Sequence, residues 1–164
     1  MPFYEEIQKE VETIRSENTV LLEEFRVWLE QSGLKKKTVQ GHTGNVWFYI
    51  NEYLVYEDAI RPAEGISLID GFFNWFFPNK AMWSSVATTK QTVASLKRFY
   101  RFLAERGVLE RADYEEFLAE VKSQMPVGWT TTVTRTTGRT KMSGEPERRD
   151  AAALSDGVNE TDPR

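Results

Sequence analysis

Cysteine is absent from this 164-residue chain, and histidine occurs once, as His42. Without a thiol, disulfide frameworks, thiolate nucleophiles and cysteine-based zinc sites are excluded together. Long apolar runs are missing as well. The densest aromatic cluster, Phe72-Phe73-Asn74-Trp75-Phe76-Phe77, is far shorter than the roughly 20 residues that span a bilayer. Met1 to Glu17 is charged throughout and lacks the apolar stretch of a signal peptide. There is no metal-binding or phosphate-loop motif and no internal repeat. These absences predict a soluble, cytoplasmic protein with no membrane partner, no metal, no cofactor and no small-molecule substrate.

What is present is core-forming material. Apolar residues make up 40% of the chain, and five Trp and ten Phe supply large areas to bury, which a disordered chain lacks. The length suits one domain of roughly 100–150 residues plus a tail. Composition changes abruptly after Met125-Pro126, where Thr, Gly and mixed charges dominate and few apolar side chains remain to offset the entropy of ordering. The expected organisation is an amphipathic helix over 1–17, a helical domain over 18–124 and a mostly disordered polar tail over 125–164. A short strand near Trp129 to Thr134 is the one element expected in that tail.

Helical periodicity dominates before residue 130. A first helix is predicted from about Phe3 to Ser16, with Ile7, Val11 and Ile14 on one stripe. Asn18 can cap a second, which carries Leu21, Leu22, Phe25, Trp28 and Leu29 and ends at Gly33. Thr38 can cap a third that buries Val39, Val46, Tyr49, Ile50, Tyr53 and Leu54, with Phe48 and Val55 on its far side. A loop around Arg61 to Gly65 precedes a short aromatic helix, about Ser67 to Phe77, stopped by Pro78-Asn79, whose aromatics belong in the core. A long helix then runs from Ser84 or Ser85 to Arg106, burying Val86, Val93, Leu96, Tyr100 and Leu103, and closes at Gly107. The last, capped by Asp113, turns Tyr114, Phe117, Leu118 and Val121 inward and ends near Gln124. The fold class is therefore all-α: a compact orthogonal bundle of four to five helices, with an extra N-terminal helix.

A net charge of −4 argues against a nucleic-acid partner, but the charges are segregated. Met1 to Gly33 carries Glu5, Glu6, Glu10, Glu12, Glu17, Glu23, Glu24 and Glu30 against Lys9, Arg15 and Arg26. Ser84 to Gly107 carries Lys90, Lys97, Arg98, Arg101 and Arg106 against Glu105 alone. Lys90, Ala94, Lys97 and Arg101 recur at one helical stripe, about 90° round from the apolar one, with Gln91 and Arg98 beside it. Such a helix can lie along a major groove about 12 Å wide, although a solvated helix face explains the same stripe equally well. The second basic segment, Lys35-Lys36-Lys37-Thr38, runs into a helix start, whose free N–H groups and partial positive charge suit a phosphate. Alone, it is more commonly a solvated turn.

Three smaller features read as structural. His42 falls at the edge of an apolar stripe, where a local hydrogen bond explains it better than a catalytic role. Gly41 and Gly44 interrupt a helix at a cost of roughly 1 kcal/mol each, for close helix packing rather than phosphate contact. Tyr100 belongs to the core.

Lys37 to Tyr49, Thr-Val-Gln-Gly-His-Thr-Gly-Asn-Val-Trp-Phe-Tyr after the lysine, resembles the first long helix of the SAM-like core-binding domain of tyrosine recombinases and phage integrases. Thr88 to Leu103, with Leu96-Lys97-Arg98-Phe99-Tyr100 at its centre and Glu105-Arg106-Gly107 after it, is similar to that domain's later helix. Phe25-Arg26-Val27-Trp28-Leu29 matches its opening helix, so the resemblance covers about Asn18 to Gln124. It implies half of a clamp around duplex DNA, with contacts from Lys36, Lys37, Thr38, Lys90, Gln91, Lys97, Arg98 and Arg101. The family's Arg, Lys, His-x-x-Arg and nucleophilic Tyr lie in a separate catalytic domain, and nothing here matches them: the one histidine begins His42-Thr43-Gly44-Asn45. The expectation is a DNA-binding, non-catalytic module used in recombination or integration, with duplex DNA and a full-length recombinase or catalytic subunit as candidate partners. The alternative is a protein-interaction module that has kept the fold, docking a partner through its acidic first helix with Phe48 and Val55. No nucleophile–base constellation supports a free-standing enzyme.

Overall fold

The computed structural model describes residues 2–125 and 128–130. Its elements are helical throughout: α1 (Pro2–Gln31), α2 (Lys36–Phe48), α3 (Ile69–Gly71), α4 (Phe77–Lys80), α5 (Val86–Glu105) and α6 (Arg111–Gln124). A 3-10 turn at Glu64–Leu68 leads into α3. Among the described residues there is no strand. The chain is an all-α bundle.

The first correction concerns α1. The two expected helices are one, 30 residues and about 45 Å long, so no boundary falls at residue 17. Ile14, Asn18, Phe25 and Leu29 form one continuous buried stripe. Asn18 therefore sits inside the helix, not at its start. Its amide donates to Asn51 Oδ1 at 2.9 Å and to the Ile50 carbonyl, so the tertiary partner replaces the capping role.

Gly33, at φ 90°, reverses the chain into α2. Here too the cap differs: Lys35 is the N-cap and makes no side-chain bond, so Thr38 lies within the first turn. After Phe48 the helix continues through a π-helical turn, Tyr49–Tyr53, in which the Leu54 N–H reaches back five residues to the Tyr49 carbonyl. The wider turn changes the phase of the helix beyond it. Phe48, expected on the far side, packs against the rings of Phe72, Phe76, Phe77 and Trp83. Val55 is half-buried.

A second π-helical turn, Phe72–Phe76, joins α3 to α4, and the helix runs through Pro78 to Lys80 rather than stopping at it. The Phe77 N–H bonds the Phe72 carbonyl, so the pairing has already slipped by one residue where proline lacks its donor. Phe72, Phe73, Phe76 and Phe77 are buried as expected, but Trp75 is 47% exposed.

α5 begins at the expected cap. Ser85 and Thr88 form a reciprocal capping box, and Gly107, at φ 77°, closes the helix. Val93, Leu96, Tyr100 and Leu103 are buried, whereas Val86 is largely exposed. Phe99 and Phe102 are buried on a second flank against Phe25, which makes α5 the central helix. α6 starts from Glu110, and Asp113 makes no cap; it sits in the first turn, where a carboxylate favours the helix dipole.

The domain does not end at Gln124. Trp129 is fully buried, stacks on Phe73 at 4.7 Å and donates from Nε1 to Asp70 Oδ1 at 2.9 Å. Residues 128–130 are helical, not a strand. The remainder of that expected strand, and most of the expected disordered tail, lie outside the described residues.

Tyrosines fix the connection between α2 and α3. The buried hydroxyls of Tyr49 and Tyr100 donate to the carbonyls of Gly65 and Pro62, each at 2.7 Å. Burial pushes both phenols well above their ordinary pKa. Gly65 is required where it stands, because a Cβ there would overlap the methyls of buried Leu54.

Candidate nucleic-acid interface

α1 and α2 form an antiparallel hairpin, with Arg26, Glu23 and Thr19 opposite Gln40, Thr43 and Trp47. α5 lies across α2 through a polar contact: His42 Nδ1 meets Ser95 Oγ at 2.7 Å, and Asn45 Nδ2 donates to the same oxygen at 3.0 Å. The expected local hydrogen bond of His42 is thus a bond between helices. Gly41 and Gly44 have open space where a side chain would be, so neither serves close packing.

Burial on both flanks narrows the exposed side of α5 to Val86, Lys90, Gln91, Ala94, Lys97, Arg101 and Glu105, with Arg98 half-buried at its edge. Lys97, Arg98 and Arg101 come together around a shallow concavity floored by Ala94 and walled by Tyr114 of α6. Lys90 and Gln91 lie on the same side, about 10 Å nearer the helix start by the rise per residue. Tyr114 is the residue that the sequence does not announce. It reads as a core position of α6, and only the packing of α6 on α5 brings it to the cations.

The second basic segment is separate. Lys36, Lys37 and Thr38 are exposed in the first turn of α2. By helical spacing, Thr38 shares the face of His42 and Asn45 that meets α5, whereas Lys36 falls toward the α1 side. Among the described residues, no hydrogen bond or ion pair joins this segment to the α5 cluster.

Among the described residues, most arginines outside α5 are paired with carboxylates, whereas Lys9, Lys35 and Lys122, like the lysines of α5, form no ion pair. Arg26 pairs with Glu23 and Glu30, Arg61 with Glu10 and Glu17, Arg106 with Glu24 and Arg111 with Glu115. Lys80 stacks over Tyr56 and Trp75. Lys36, Lys37, Lys90, Lys97 and Arg98 form no ion pair among the described residues. Arg101 is the exception, its Nε donating to Glu105 Oε2 at 3.1 Å, while Trp28 Nε1 holds Glu105 Oε1.

Burial and the neighbouring Arg98 hold the His42 imidazole below its ordinary pKa. Among the described residues, no group of three or more His, Asp or Glu side chains could hold a metal ion. No described helix is long and apolar enough to cross a membrane. Comparison with protein-family models, with curated proteins and with solved structures finds no significant match to this chain.

Proposed function

We propose that this bundle is a DNA-binding module that holds duplex DNA through its phosphates, with no cleavage chemistry of its own, in the manner of the core-binding half of a tyrosine recombinase. One observation carries the reading. Among the described residues, Arg26, Arg61, Arg106 and Arg111 are matched to carboxylates and Arg15 to a backbone carbonyl, whereas Lys90, Lys97 and Arg98 are left without an ion pair along one side of one helix. Unpaired cations on a rigid helix release counterions when phosphates replace them, which is the main source of sequence-independent affinity.

Arg101 adds to this surface at its Glu105-linked end, Gln91 supplies a neutral donor, and Lys36, Lys37 and Thr38 form a second anchor at the start of α2. The competing protein-docking reading loses one of its anchors, since Phe48 is engaged within the bundle.

The test is a salt titration of binding to a labelled mixed-sequence duplex. Affinity falls steeply as salt rises, and the log–log slope becomes shallower by about 0.9 for each cation removed in Lys97→Ala and Arg101→Ala. No measurable binding at low salt overturns the proposal.

A further inference from the structure

The bond network around Ser95 fixes the state of the chain's one histidine. The Ser95 hydroxyl donates to the Gln91 carbonyl, 3.0 Å away, and a carbonyl can only accept. Its single proton is thereby committed. The oxygen then has two lone pairs, one of which accepts from the Asn45 amide and the other from His42. With the hydroxyl proton on the Gln91 bond, Nδ1 of His42 carries the ring proton and Nε2 keeps the lone pair, the tautomer from which the inference starts.

Nε2 has no protein partner. Among the described residues, no buried side-chain nitrogen or oxygen lacks a hydrogen bond, so an unbonded Nε2 on this half-buried ring reaches solvent. The ring's partner Ser95 lies one turn before Arg98 on α5, and Arg98 acts electrostatically on the ring.

We propose that His42 is a further contact residue of the cationic α5 face, whose Nε2 takes a proton from solvent as a DNA phosphate arrives, so that duplex affinity rises as pH falls from about 8 to about 6. The inference depends on the DNA-binding reading above. The fixed tautomer makes the coupling one-sided: Nδ1 stays bonded to Ser95 in both states, and protonation adds one outward donor and one positive charge without moving the ring.

The charged surroundings act in the required direction. Arg98 of α5 is the charged group that acts on His42, and it disfavours the imidazolium in the free protein. On α2 itself, Lys35 lies two turns earlier on the same side. α1 meets α2 on another face, through Glu23 and Arg26 against Gln40, Thr43 and Trp47. Burial is the larger cause that disfavours the imidazolium and Arg98 the smaller; a phosphate drawn to Arg98 offsets that cation and itself attracts the imidazolium.

Two measurements on the full chain test the inference. Imidazole nitrogen NMR of the free protein is expected to show the Nδ1–H tautomer, with a titration midpoint that rises by about one pH unit when a mixed-sequence duplex is added. That shift equals binding up to about tenfold tighter at a pH well below the free-protein midpoint than at pH 8, with a salt slope steeper by up to about 0.9. His42→Asn keeps a donor for Ser95 but cannot titrate, and is expected to bind with no such pH dependence. A midpoint unmoved by duplex, or an equal pH dependence in His42→Asn, overturns the role of His42. Binding without pH dependence overturns this inference alone, whereas absence of binding at every pH overturns the DNA-binding reading from which it starts.

Discussion

The side-chain amide of Asn18 in α1 donates to Oδ1 of Asn51, at the end of α2, at 2.9 Å, and both residues are buried. This pair sets the register of a hairpin that is otherwise held by interchangeable apolar contacts, the use to which single buried asparagines are put in coiled coils. Arg15, one turn earlier, adds a bond to the Asn51 carbonyl at 3.0 Å. Asn18→Ala strands the Asn51 amide and is expected to cost about 1–3 kcal/mol in urea unfolding. The double replacement of Asn18 and Asn51 by Leu is expected to recover much of that loss, because it leaves no buried polar group unmatched. If the double variant is as unstable as the single one, the pair is not the register device.

Trp129 predicts where the folded unit ends. Trp129→Ala removes a fully buried indole stacked on Phe73 and is expected to cost about 3–5 kcal/mol. Trp129→Phe keeps the stacking and loses only the bond to Asp70, which also accepts from Asn74 at 2.8 Å, so its expected cost is about 1 kcal/mol. Equal stability of all three proteins in denaturant melts is the outcome that counts against a docked Trp129.

Glu105 pairs with Arg101 at one end of the cationic surface. Glu105→Gln keeps an acceptor for Trp28 Nε1 and removes the charge that pairs with Arg101. Duplex affinity is expected to rise severalfold at low salt, by anisotropy, and the gain is expected to vanish in an Arg101→Ala background. Such a dependence assigns the effect to the freed guanidinium rather than to a general loss of negative charge.

Glu120 of α6 is held above the ordinary carboxylate pKa, first by burial and then by Asp70 and Glu116. A raised carboxyl favours the fold while it is protonated. That contribution is complete below the unfolded-state value and is lost as pH rises through the folded-state value. Glu120→Gln is therefore expected to stabilise the protein at pH 7 and to leave it unchanged near pH 3. The gain stays below about 1 kcal/mol because the side chain is only partly buried. Thermal melts of both proteins across this range give the comparison, and a gain that persists at acid pH contradicts the assignment.

Local chemistry made part of this fold legible in advance. Ser85 with Thr88 is a cap that operates within four residues, and Gly33 and Gly107 stop helices because each adopts the left-handed conformation that glycine tolerates. The cationic stripe of α5 followed from spacing alone. What stayed hidden depended on distant partners. Asn18 is as good a cap as it is a buried amide, and only Asn51, 33 residues on, decides between the two. Phe48 is covered because the distant aromatic segment of Phe72, Phe76, Phe77 and Trp83 packs on its side of α2, which its place in the helical period does not reveal. Trp129 stands alone in a polar stretch, and its contacts with Phe73 and Asp70 have no periodic signature.

The two buried tyrosine hydroxyls have a mechanical consequence. Tyr49 comes from the end of α2 and Tyr100 from the middle of α5, and both grip the same short segment, Pro62 to Gly65. Rotation or sliding of one helix against the other must break at least one of these water-free bonds. The two helices that carry every candidate contact residue are thereby clasped into one stiff body. A ligand on the α5 face meets a surface already in its final shape, so little ordering of the protein is left to oppose its binding.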